Sequence, residues 1–232
     1  MLAAAVSVVV MVVVIFKYGL GDDGARPTSG APHVGAKHHT DEKPGEGTKP
    51  AHEGDKPAPL QVYETAKVGD WRAYRVISEW SSKPVGKATV VTRIAEATDT
   101  QVVASFNGRL DDTSEIRKDR DETRPRQGLT IDQLTGNDVG VWTIYNVTIT
   151  DEDHTVAGRT FKCKKLSYAS DDPLIPSKRT RNELWISAEV PAGGIVEERQ
   201  IQDMPNMTFV QTQTLIGFGD ERTTWGTKPE GL

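Results

Sequence analysis

From about Val62 to Phe218 apolar and polar residues alternate with period two, and almost nothing repeats at helical spacing. Tyr74, Val76 and Trp80 fall in one phase, and Val90 and Ile94 in another short run. Val102, Ala104, Phe106 and Leu110 alternate with Gln101, Ser105, Asn107 and Arg109, as in a strand with one face buried. Val141 to Thr150 is rich in β-branched residues. Asp151 to His154 predicts a turn, and Thr160 to Tyr168 a return strand. There Phe161 and Cys163 are out of phase with Leu166 and Tyr168, and a β-bulge near Lys164 and Lys165 would bring all four into one core. A final strand, Met207 to Phe218, carries Val210, Thr212, Thr214, Ile216 and Phe218 on one face. The best helix signal, Leu129 to Leu134, is barely a turn and a half. Strands without intervening helices cannot form a parallel α/β sheet. The pattern therefore predicts a mainly β domain of about nine strands, a single curved antiparallel sheet or open barrel with few short helices.

The rest of the chain is of a different character. Residues 1–16 are almost wholly apolar, and 19–62 contain no Phe, Trp or Tyr, whereas all five Trp lie beyond residue 62. Hydrophobic residues make up only 36% of the whole, an average that hides these differences. The expected organisation is a membrane anchor or signal segment at 1–20, a disordered linker at 21–60, an antiparallel β domain at 61–226 and a disordered tail at 227–232. Twenty helical residues span about 30 Å, enough for a bilayer core, with Lys17 and Tyr18 at the interface. A cleaved signal peptide needs a basic leader, which the run lacks, so an uncleaved helix fits better. The linker has six prolines, many glycines and charges, and no apolar periodicity, so it cannot bury enough surface to offset its ordering entropy.

Charge and motifs exclude several functions. A formal charge of -5, without a basic stripe, argues against nucleic acid as a partner. Cys163 stands alone, so neither an intramolecular disulfide nor a cysteine zinc site can form, and it reads as a small buried hydrophobe. Four of the five histidines lie in the linker, where nothing fixes ligand geometry. The acids between Asp111 and Glu122 interleave with Arg and Lys and match no Ca²⁺ loop. No phosphate loop, nucleophile elbow or zinc helix is present. No metal, cofactor or catalytic residue is expected.

Two segments, Val156 to Lys165 and Leu184 to Val196, together with the opening Val68-Gly69-Asp70-Trp71, resemble a broad group of bacterial envelope β-domains. The group is similar in layout to the periplasmic lipoprotein-carrier class. The resemblance implies a curved sheet with an apolar concave face, lying outside the cytoplasm, and carries no catalytic site. It opposes the charge signal, because Lys17, Arg26 and Lys37 all follow the apolar run and by themselves would hold the domain inside. The outside placement is the expectation adopted.

The expected function is thus a membrane-tethered, extracytoplasmic, non-catalytic domain that binds an apolar or lipid-linked ligand. Its partners would be the membrane, through the N-terminal helix, and a lipid or an envelope protein. The tentative ligand face comprises Val102, Phe106, Phe161, Val210, Ile216 and Phe218, each on the apolar phase of its strand. The alternative is a structural or assembly subunit of an envelope complex. A secreted hydrolase is disfavoured, because no nucleophile–base pair is visible.

Overall fold

In the computed structural model, the described residues are 59–112, 116–118, 121–135, 143–172, 175–204, 207–220 and 222–231. The anchor expected at 1–20 and nearly all of the expected linker lie outside them. Eleven strands form one antiparallel sheet, β1 (Trp71–Trp80), β2 (Lys83–Ala97), β3 (Gln101–Leu110), β4 (Ile116–Lys118), β5 (Glu122–Pro125), β6 (Thr143–Val156), β7 (Arg159–Asp172), β8 (Ile175–Ile186), β9 (Ile195–Met204), β10 (Met207–Gly219) and β11 (Thr224–Gly226). The helix among the described residues, α1, is Ile131–Thr135.

The sheet order is β4-β3-β2-β1-β10-β9-β8-β7-β6, with β5 also on β3 and β11 also on β10. Two meanders, β1 to β3 and β6 to β10, are joined where β1 pairs with β10. The sheet is open, and it curls. Ile94, Val102, Ala104 and Phe106 of β2 and β3 share one buried cluster with Leu166, Tyr168, Leu184 and Ile186 of β7 and β8. Three strands lie between these wings, so the sheet must bend to bring them together.

The hollow of this curl is filled by the chain itself. A strap, Pro59 to Ala66, lays Leu60, Val62, Tyr63 and Ala66 between the wings, with Leu129 and α1 beside it. Leu60, assigned to the linker on sequence, is buried and already belongs to the domain. Leu60 and Leu129 exchange both backbone hydrogen bonds at 2.9 Å. Farther along, the Arg126 guanidinium donates to the carbonyls of Glu64, Ala66 and Thr98 at 3.1, 3.1 and 2.8 Å.

The turn expected at Asp151–His154 is not there. β6 runs on to Val156, because Asp151 and Asp153 stand directly opposite Lys164 and Lys162 and pair with them at 3.0 and 2.7 Å. The chain reverses instead at Ala157 and Gly158, with φ of 47° and 78°, the positive pair that a two-residue hairpin requires. The expected bulge at Lys164 and Lys165 is also absent, since the register runs unbroken through both residues on either side. Phe161 and Cys163 instead join a second buried cluster with Trp185, Val196, Leu215 and Phe218, so β7 buries one face in its first half and the other face, with Leu166 and Tyr168, in its second.

Candidate functional site

The six residues expected to line a ligand face do not come together. Val102 and Phe106 lie in the hollow, but the strap covers them. Phe161 and Phe218 meet at the end of the sheet, where both pack against Trp225 at ring distances of 5.5 and 5.2 Å. Arg159 lies over these three rings and is held by Glu189 at 2.9 Å. Val210 and Ile216 are on the opposite face of β10 from the hollow and are only half-buried. Ile216 packs with Trp71, Ala73 and Val91.

The phase of β10 explains the misplacement. Its inward residues are Phe209, Gln211, Gln213 and Leu215, all buried. Glutamines read as solvent-facing, so the sequence pattern selects the wrong face. Phe218 returns to the inner phase because β10 has one extra residue opposite the step from Ala73 to Tyr74.

These glutamines belong to a polar row. Tyr168, Asn182, Gln200, Gln211 and Ser78 stand directly opposite one another across β7, β8, β9, β10 and β1. All five are buried. Gln202 donates to Gln200 at 3.4 Å, and Gln200 to Asn182 at 3.3 Å. Ser78 Oγ, Ser170 Oγ and Gln211 Oε1 have no hydrogen-bond partner among the described residues. The sequence signal for the row was two Gln-x-Gln steps, Gln200 to Gln202 and Gln211 to Gln213, of which Gln200 and Gln211 stand opposite each other across β9 and β10.

An accessible concavity lies on the other side of the strap. A half-open groove of about 550 Å³ runs between Pro59–Val62 and the β6–β7 hairpin, reaching Ile186 and Ala188. That volume suits a small molecule or part of a lipid chain. Leu60, Val62 and Ile186 give it apolar walls, while Asp151, Asp153, Lys162 and Lys164 supply charge. The Cys163 side chain is on the other face of β7, in the cluster with Phe161. Burial pushes the Cys163 thiol up to about 11, with the Glu152, Glu189 and Asp153 carboxylates adding to the effect. A thiol so held is protonated at neutral pH and is a poor nucleophile.

The hairpin wall is fixed from several directions. His154 stacks on Trp185 at 4.4 Å, and its Nε2 lies 3.5 Å from Glu197. The Trp185 indole N–H donates to Glu152, and Lys165 lies 4.6 Å over the same ring. By contrast, among the described residues the outer end of the strap wall has the Leu60–Leu129 pair as its inter-segment backbone bonds, with Pro59 and Gln61 close to Gly128. Burial of a Leu or Val side chain contributes about 1.5–3 kcal/mol, which a few methylenes at about 0.8 kcal/mol each can match. Among the described residues no three of His, Cys, Asp and Glu converge as a metal ion would require.

No family model matches the chain, and no curated protein matches it. A solved structure that it resembles is a Bacteroides fragilis protein, described as having a YMCC-like fold and conjectured to be exported. The identity is 11%, the TM-score 0.43, and the match covers 68% of this chain and 99% of that one.

Proposed function

We propose that this chain is a membrane-tethered, extracytoplasmic binding domain without catalytic activity, and that its ligand is an amphiphile bound in the groove. The observation that carries this reading is the groove's composition. Leu60, Val62 and Ile186 offer an apolar surface to a hydrocarbon portion, and the lysines and carboxylates of β6 and β7 face a polar head. The apolar run at 1–16 and the polar segment after it support the tether, and the sequence resemblance of Val156 to Lys165 and Leu184 to Val196 to envelope β-domains supports the compartment.

The test is native mass spectrometry of the full chain extracted from its membrane, compared with Ala188→Trp. Ala188 is exposed at the groove, so the indole fills the space without entering the core. The account predicts a co-purifying amphiphile in the native chain and its loss from the variant. Equal retention by both would move the ligand elsewhere, and a native chain with none would remove the reading.

A further inference from the structure

The apolar wall behind the strap has the same character as the groove in front of it. Val102, Ala104, Phe106 and Leu129 are buried in the same cluster as Leu60 and Val62. The same Leu60 and Val62 form the near wall of the groove. Leu60 and Val62 thus belong both to the groove wall and to the buried cluster.

The attachment of the strap is uneven. Tyr63 is deeply buried, and its hydroxyl lies where a side chain on Gly193 would have to be. Arg126 holds the carbonyls of Glu64 and Ala66. Pro59 to Val62, in contrast, pairs with no strand of the sheet. Its inter-segment backbone bonds among the described residues are the two shared with Leu129. The segment can swing about Tyr63 without breaking the sheet.

Resting on the groove reading, we propose that Pro59–Val62 is a displaceable gate, and that the wall of Val102, Ala104, Phe106 and Leu129 is an inner binding surface for a single acyl chain. A chain lodged in the groove extends inward as Leu60 leaves, taking over the contacts that Leu60 and Val62 make. The charged groups Asp151, Asp153, Lys162 and Lys164 stay with the head at the mouth. The fraction of molecules with the gate open scales the apparent affinity of the inner surface.

Leu60 and Leu129 form a doubly hydrogen-bonded antiparallel pair, a spacing that a disulfide can bridge. Leu60→Cys with Leu129→Cys, in a Cys163→Ala background, therefore locks the gate reversibly. The full chain in lipid nanodiscs is irradiated with a photoreactive palmitate and digested with trypsin. Labelling of peptide 182–199, which carries Ile186 and Ala188, reports the groove, and labelling of 94–109, which carries Val102, Ala104 and Phe106, reports the inner surface. The expected result is labelling of both peptides in the reduced protein and a loss of about tenfold on 94–109 alone when the disulfide closes, as removal of the open state demands. Leu60→Asp, which expels the gate, raises labelling of 94–109. Labelling of 182–199 with none on 94–109 under reducing conditions overturns the gate and leaves the groove standing. Equal labelling of 94–109 with the disulfide open and closed also overturns it. Absence of label on 182–199 overturns the groove reading itself.

Discussion

The Cys163 side chain lies in the buried cluster with Phe161, Trp185 and Phe218, and its thiol is shielded enough to stay protonated. Alkylation at neutral pH should accordingly be slow in the native protein and fast in denaturant, as a timed mass measurement would show. A fast native reaction would mean that this cluster is looser than described. The polar row separates two glutamines in the same way. Gln200 accepts from Gln202 and donates to Asn182, so Gln200→Leu strands both neighbours and should cost about 1–3 kcal/mol. Gln211 Oε1 has no partner to lose, so Gln211→Leu should leave stability unchanged or raise it. Urea unfolding of the two variants distinguishes them, and equal losses would contradict this bonding pattern. These are also the residues that were hardest to read from sequence. Val102, Ala104 and Phe106 were legible because apolar side chains mark a buried phase directly. Gln211 and Gln213 were not, because inward placement of an amide depends on opposing residues far away in sequence.

Among the elements, the β6–β7 hairpin shows where local rules gave way. Asp151, Glu152 and Asp153 in succession favour a turn, but Lys162 and Lys164 across the ladder neutralise two of them and keep the strand extended. The bulge expected in β7 failed for a related reason. It assumed one buried face, whereas Phe161 and Cys163 have their own cover from Trp185, Leu215 and Phe218. The chain turns instead at Ala157–Gly158, and again at Pro191–Gly193. The hairpin's end is held through Glu189, which accepts from Arg159 and from the Lys162 N–H at 3.3 Å. The Arg159 hydrogen bond, aided by the Lys162 N–H, keeps this carboxyl below its ordinary value of about 4.5. Its contribution is therefore fully present above that pH and is lost as pH falls through the lower folded value. Exchange of the Lys162 amide should accelerate, relative to its intrinsic rate, over that acid range, and Glu189→Gln should abolish the dependence. A native profile matching that of the variant would contradict the clamp.

For the whole molecule, curling decides what the sheet can do. The sequence pattern correctly anticipates one antiparallel sheet, but the hollow is not an open apolar face. It divides into an apolar part filled by the strap and α1, and a polar part closed by its own amides. The strap was illegible because Leu60 follows a proline-rich stretch and only its distant pairing with Leu129 marks it as part of the domain. Phe106 is at the centre of the filled part, so Phe106→Ala should cost about 3–5 kcal/mol by denaturant melt. A loss below about 1 kcal/mol would indicate space around the ring that the filled hollow does not provide.

The claim on which the functional reading depends is that ligand enters between the strap and the hairpin. Hydrogen exchange of the full chain in nanodiscs, with and without added palmitate, tests it most directly. The predicted result is slower exchange confined to Gln61–Val62 and to Asp151–Lys164, with β2 and β3 unchanged or altered only around Val102 and Phe106. Unaltered exchange in Gln61–Val62 and Asp151–Lys164, or protection centred on β4 and β5 at the far edge of the sheet, would contradict it.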